Sequence, residues 1–101
     1  MANIQSLGQS VKLNPAIPVI NGKAVRNCHI LLPDYPKPVS AILFGGKLYS
    51  YVRFYPSMDA AQRAAERSMS HGNLVVLTQV HKGLILWVFE PDAQLVKAAS
   101  Y

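Results

Sequence analysis

The sequence predicts a small α+β domain in which one main helix, at about residues 58–70, lies on one face of an antiparallel sheet. Two observations lead to this prediction. Short apolar segments alternate with glycine-containing turn signals, which is typical of β-hairpins. One stretch alone repeats alanine and methionine at helical spacing. We therefore expect two main hairpins and a further N-terminal hairpin, the main ones being 39–44 with 48–55 and 74–80 with 84–90.

Composition narrows the class of protein. A chain of 101 residues has a common domain size, and half of it is hydrophobic while only 15% is charged, the opposite of a disordered chain. The net charge of +5 favours acidic partners. The longest apolar run, 84–89, is far shorter than the ~20 residues of a membrane span. The single cysteine, Cys28, excludes an internal disulfide, so we expect a soluble cytoplasmic protein.

The N-terminal third is predicted to contain an arm and a hairpin. Residues 1–14 are polar without periodicity, which indicates a flexible arm ahead of a single domain at 15–101. Prolines restrict 16–20 to an edge strand or an extended lead-in. Asn21-Gly22 suits a two-residue turn, because both positions tolerate positive φ. We expect 23–32 to be the return strand of this hairpin.

The middle of the chain is predicted to form a hairpin and then the helix. Pro33, Pro36 and Pro38 indicate an extended connection, and Gly45-Gly46 then joins two strands by a tight turn. After Pro56, Ser57 can cap the helix N-terminus and Gly72 can end the helix. The inward stripe of the helix is mostly alanine, so the helix can lie close against the sheet.

The last two predicted strands are apolar on both faces, so both faces of the sheet must be covered there. Segments 74–80 and 84–90 are apolar almost throughout, which indicates burial on both faces. A helix of 13 residues is about 20 Å long and covers one face at best. The other face must be covered by the N-terminal hairpin, a second copy or a different protein. We therefore expect self-association or residence in a larger complex.

Strand 47–55 contains the candidate binding residues. Its side chains should alternate between two faces, with Leu48, Ser50, Val52 and Phe54 on the core face. We call the other set the Tyr/Arg face; it consists of Lys47, Tyr49, Tyr51, Arg53 and Tyr55. On the helix, Arg63 and Arg67 stand four residues apart and could add contacts to phosphate or to an acidic partner.

Segment 47–54 resembles the RNP1 strand of the RNA-recognition motif family. That strand reads Lys or Arg, Gly, aromatic, Gly or Ala, aromatic, Val, any residue, aromatic. Here Ser50 is the small residue, and Leu48 stands where the family has glycine. The helix start at 57–61 is similar to the second helix of the family, but prolines in 16–38 leave no room for its first helix. The resemblance implies that tyrosines of this strand stack on bases while Lys47 and Arg53 reach phosphate.

Three functional hypotheses follow for the Tyr/Arg face. The first is a non-catalytic module, a small accessory or adaptor subunit that docks onto an acidic protein, because Tyr and Arg are favoured in interfaces. The alternative is single-stranded RNA binding through Tyr49, Tyr51 and Arg53. A third is a small basic ribonuclease using those residues and His81. The tyrosines could also only pack across strands.

Catalytic and metal sites are not predicted. There is no Cys-x-x-Cys or His-x-x-x-His spacing for zinc, and no glycine-rich loop between a strand and a helix for phosphate. The five carboxylates are assigned to helix surface, loop and strand ends. We therefore expect no enzymatic activity, no metal and no small-molecule cofactor.

Overall fold

The computed structural model describes residues 17–96, which form an α+β fold with one α-helix and a seven-stranded sheet. The helix, α1, spans Met58–Ser70, and a short 3-10 turn spans Gly22–Ala24. The strands are β1 (Val19–Asn21), β2 (Arg26–Leu31), β3 (Val39–Phe44), β4 (Lys47–Tyr55), β5 (Val75–Val80), β6 (Gly83–Phe89) and β7 (Gln94–Leu95). The predicted α+β class with one main helix is confirmed; the predicted arm at 1–14 lies outside the described residues.

The sheet has the strand order β1-β5-β6-β4-β3-β2-β7. Only β1 and β5 pair in parallel; all other neighbours are antiparallel. Strands β4 and β5, which α1 connects, both pair with β6, so they run parallel with β6 between them. No helix in the part of the chain that the structure describes has the length and hydropathy needed to cross a membrane.

The predicted N-terminal hairpin is wrong. Strand β1 pairs with β5, while β2 pairs with β3 and β7. Asn21 caps the 3-10 turn instead: its side-chain oxygen accepts a hydrogen bond of 2.8 Å from the backbone N–H of Lys23. A Cβ on Gly22 would lie 2.9 Å from the carbonyl oxygen of Gln79. Asn21 therefore caps the 3-10 turn, and Gly22 lets the chain pass close to β5.

Helix α1 has the predicted bounds because its capping signals are local. The hydroxyl of Ser57 accepts a hydrogen bond of 3.3 Å from the backbone N–H of Ala60. At the other end, Gly72 adopts a φ of 89°, and its N–H donates to the carbonyl of Met69 at 2.9 Å. Glycine is favoured there, since other residues rarely adopt positive φ.

The alanine stripe of α1 packs on one face of the sheet, which we call the helix face. Ala61, Ala64 and Ala65 are buried, and they share a core cluster with apolar residues of β5 and β6: Val75, Leu77, Leu84 and Leu86. Short alanine side chains let the helix backbone lie near the strands. The burial of these three alanines against β5 and β6 agrees with the prediction that the helix lies close to the sheet.

The opposite side of the sheet, which we call the second face, has its own apolar cluster. Its buried members are Ile42, Tyr49, Val76 and Trp87, with Ile20, Val25, Phe44, Ile85 and Phe89 partly buried around them. Strands β5 and β6 therefore contribute buried side chains to both faces. This double burial explains why their sequences are apolar almost throughout.

The alanine stripe can be tested by enlarging one member. We expect Ala65→Leu to lower the free energy of unfolding by about 1–3 kcal/mol, because a completely buried alanine leaves no room for three more carbons. The matched control is Gln62→Leu on the exposed side of α1, which should change it by less than about 0.5 kcal/mol. Urea denaturation measures both variants. Equal stability of the two would contradict close packing at Ala65.

Candidate binding site

A β-bulge in β4 divides the predicted Tyr/Arg face. The register pairs Tyr51 with Trp87 but Arg53 with Leu86, so one extra residue is accommodated between them. Trp87 belongs to the second face and Leu86 to the helix face. Because cross-strand partners share a face, Tyr51 points to the second face while Arg53 lies on the helix face. The prediction of one continuous Tyr/Arg face is therefore wrong.

The bulge also exchanges the faces of the sheet on which the following residues of β4 lie. Phe54 pairs with Ile85 and joins the second face, although the alternation assigned it to the core face with Leu48 and Ser50. Tyr55 pairs with Leu84 and packs half-buried against the helix-face cluster. Strict alternation along the strand thus holds only up to Tyr51.

The ring of Phe54 lies over a glycine of β6. A Cβ on Gly83 would lie 2.8 Å from the Phe54 ring and would collide with the carbonyl oxygen of Tyr55. Only glycine allows this contact. One side of the Phe54 ring therefore contacts Gly83. The residue is still 39% exposed, so part of the ring is accessible to a partner.

Tyr49 belongs to the core of the second face. Only 4% of its surface is exposed, and its ring packs at 5.8 Å from that of Phe89 with a tilt of 53°. Burial raises the pKa of the Tyr49 hydroxyl. Tyr49 therefore cannot offer an open stacking surface.

Tyr51, by contrast, is 47% exposed and contacts the ring of its cross-strand neighbour Trp87. Its ring meets that of Trp87 edge to face, with centroids 5.8 Å apart and an angle of 86°. The indole Nε1–H of Trp87 donates a hydrogen bond of 2.8 Å to Oγ1 of Thr78, and both residues are buried. The second face thus presents an exposed tyrosine whose aromatic neighbour is held by a buried hydrogen bond.

A cleft of about 280 Å³ adjoins Tyr51 on the second face. It is lined by Asn27, Cys28, His29, Ser40, Ala41, Tyr51 and Trp87. His29 pairs with Ser40, and Tyr51 pairs with Trp87. Continuing the pairing of Ala41 with Ser50 places Ser40 opposite Tyr51. The four side chains therefore form one row across β2, β3, β4 and β6, about 14 Å long at the usual strand spacing.

Charges are unevenly distributed between the two faces. The chain has five Asp and Glu residues, and no strand position of the second face holds one; they are Asp34, Asp59, Glu66, Glu90 and Asp92. Glu90 accepts a hydrogen bond of 2.6 Å from the hydroxyl of Ser50, which pairs with Val88 on the helix face. Asp92 lines a separate cleft with Leu31 and Gln94. The second face does carry a cation, since the exposed Lys47 pairs with Phe44.

The predicted site residues therefore occupy three places. Lys47, Tyr49 and Tyr51 lie on the second face. Arg53 and Tyr55 lie on the helix face. Arg63 and Arg67 are exposed on α1, away from its buried alanines. Binding to the second face would thus engage only part of the predicted set.

Several residues of the site were not predicted. Phe54, His29, Asn27 and Ser40 join it through the bulge and through the pairing of β2 with β3. One signal was available: alternation in 23–32 places Asn27 and His29 on the same face. Nothing local indicates that this face is also that of Tyr51.

The residues proposed for ribonuclease chemistry are separated. Tyr49 and Tyr51 lie on the second face and Arg53 on the helix face. His81 lies in the turn between β5 and β6, where it lines a different cleft with Lys23 and Gln79. Among residues 17–96, no three His, Cys, Asp or Glu side chains come together in a way that could hold a metal ion.

Comparisons with known proteins found no match to this chain. No protein-family model, curated protein or solved structure matches the chain. The functional proposal below therefore depends on the geometry, exposure and charge of the second face itself.

The hydrogen bond that holds Trp87, the aromatic neighbour of Tyr51, can be tested at Thr78. We expect Thr78→Val, which keeps the shape, to lower the free energy of unfolding by about 1–3 kcal/mol, because the buried indole N–H of Trp87 loses its acceptor. Thr78→Ser keeps the hydroxyl and should retain the environment of Trp87. Urea denaturation followed by tryptophan fluorescence measures both. A valine variant as stable as wild type, with unchanged fluorescence, would contradict this role.

The thiol of Cys28 gives a pH-dependent prediction. Burial raises the pKa of this thiol, and the nearby Arg26 guanidinium lowers that pKa in part. The midpoint of the pH–rate profile for alkylation by iodoacetamide should therefore be higher in the folded protein than in urea. Arg26→Gln should raise the midpoint further, while Arg63→Gln, on the exposed side of α1, should not.

The sign for stability follows from the same shift. A raised folded-state pKa means that the folded protein holds the thiol proton more tightly than the unfolded chain does. The thiol therefore contributes to the free energy of unfolding. Its contribution is fully present below the pKa of the unfolded thiol and is lost as the pH rises through the pKa of the folded thiol. Equal alkylation midpoints in folded and unfolded protein would contradict the shift.

Proposed function

We propose that the protein is a non-catalytic binding module, a small accessory or adaptor subunit that docks onto an acidic protein through the second face. The observation that carries this proposal is the exposed Tyr51 ring, which contacts the buried ring of Trp87 edge to face. Tyrosine is among the residues that contribute most to binding energy at the centres of interfaces. A ring that is already held in place also loses little freedom when a partner binds.

Phe54 enlarges this aromatic surface. It lies on the same face as Tyr51, toward the end of β4, and its ring rests on Gly83. Exposed apolar surface of this kind, next to polar side chains such as Ser40 and His29, matches an interface with an apolar centre and a polar rim. The two rings are therefore the proposed centre of contact.

The charge distribution favours an acidic partner. No strand position of the second face carries a carboxylate, Lys47 is exposed on it, and the whole chain has a net charge of +5. Complementary charge steers partners together and rejects those of like charge. Two copies of this chain would each bring a net charge of +5 to the contact and repel each other, so we propose a different, acidic protein as the occupant.

RNA binding has less support on this face. The RNP1-like hypothesis needs successive open rings with cations beside them. Tyr49 is buried, and the bulge places Arg53 on the other side of the sheet. The aromatic surface of Tyr51 and Phe54 therefore serves protein docking better than a run of stacked bases.

A double variant tests this proposal. We expect Tyr51→Ala/Phe54→Ala to abolish capture of an acidic protein from a lysate of the native cells, because the centre of contact is lost. Each large hot-spot side chain contributes about 2 kcal/mol or more to binding. Tyr35→Ala is the matched control: this tyrosine is 51% exposed but lies in the loop between β2 and β3. Affinity capture with quantitative mass spectrometry measures retention.

Three results would overturn the proposal. A partner retained equally by the double variant would place binding elsewhere on the surface. Saturable binding of a fluorescent single-stranded RNA that the double variant loses would assign the face to RNA. A dimer in sedimentation velocity that the double variant dissolves would assign it to a second copy.

A further inference from the structure

The cleft beside Tyr51 points to a specific use within the proposed interface. We infer that it is a carboxylate subsite, which takes one aspartate or glutamate side chain of the acidic partner. This inference rests on the proposed function, since it requires the partner to bind the second face. It adds the chemistry recognised there and the residues that recognise it.

The polar side chains of the cleft supply hydrogen-bond donors. Asn27 offers an amide NH₂, His29 a ring N–H and Ser40 a hydroxyl, and all three residues are exposed. Within the described part of the chain, none of these side chains is hydrogen-bonded to another protein group. Because these side chains are exposed and line the cleft, they can donate to a ligand bound there.

The spacing of the donors suits the two oxygens of a carboxylate. His29 and Ser40 are direct cross-strand partners, so their Cβ atoms lie about 5 Å apart. A carboxylate between them can accept from both side chains at once. Asn27 lies on the same face, two residues before His29, and can donate to a remaining lone pair.

The surroundings favour a carboxylate over a ligand that donates. Among residues 17–96, no acidic residue lines the cleft, so a cationic group would find no carboxylate of this part of the chain to pair with. The rings of Tyr51 and Trp87 form the far wall, where they can contact the methylene groups of an acidic side chain. The Tyr51 hydroxyl adds a donor at the same wall. Donors on one side and apolar surface on the other match the side chain of glutamate or aspartate.

A matched pair of small probes tests the subsite. The probes are N-acetylglutamate N-methylamide and N-acetylglutamine N-methylamide, which differ only in replacing a carboxylate by an amide. In ¹H–¹⁵N correlation spectra of the full chain, the glutamate probe should shift the backbone signals of Asn27, His29, Ser40 and Tyr51 in a saturable way. The glutamine probe should bind about fivefold or more weakly, because hydrogen bonds to a charged acceptor are stronger.

Variants assign the donors. Ser40→Ala and Asn27→Ala should each weaken binding of the glutamate probe about fivefold, through the loss of one donor. Both residues are exposed, so we expect the substitutions to leave the fold unchanged. The same spectra check this, because signals far from the cleft should keep their positions. Ser70→Ala, at the exposed end of α1, is the control and should leave the affinity unchanged.

The outcomes separate this inference from the function it rests on. Absence of saturable shifts at the cleft, or equal affinity for the two probes, overturns the carboxylate subsite. Tighter binding of adenosine than of the glutamate probe would also overturn it, by assigning the cleft to a nucleobase. If partner capture still depends on Tyr51 and Phe54 in any of these cases, only the subsite fails. If that dependence is absent as well, the proposed function fails with it.

Discussion

One extra residue in β4 determines what each face of the sheet presents. A strand alternates its side chains with a period of two, so a single bulge exchanges the faces of all residues beyond it. The bulge between Tyr51 and Arg53 directs Phe54 to the side of Tyr51 and turns Arg53 and Tyr55 toward the helix face. Without it, Arg53 and Tyr55 would lie on the second face in place of Phe54.

The two faces have different structural roles. On the helix face, alanines of α1 allow close packing, and Tyr55 completes the cluster at the end of β4. On the second face, Trp87 is buried and hydrogen-bonded to Thr78, while the half-exposed ring of Tyr51 contacts it edge to face from the neighbouring strand. A side chain that is held in its bound conformation before association loses less freedom on binding. Strand β6 contributes Leu86 to the helix-face core and Trp87 to the second face, so the core and the site depend on the same interior strand.

Charge separates the faces further. Glu90 is engaged with Ser50 on the helix face, and the other acidic residues lie on α1 or in loops. The second face retains Lys47 and the uncharged donors of the cleft. A net positive charge alone would be compatible with simple solubility. On the second face the exposed Lys47 accompanies the exposed ring of Tyr51, and no strand position there holds a carboxylate.

The sequence by itself determined what depends on neighbouring residues. Ser57 and Gly72 bound α1 because caps act within one turn, and the apolar runs of 74–80 and 84–90 indicated burial on both faces. It could not determine what depends on distant partners. Asn21-Gly22 signals a hairpin, yet β1 pairs with β5, more than fifty residues away in the chain. The bulge likewise exists only in the register between β4 and β6, so tertiary structure alone decided which side chains accompany Tyr51.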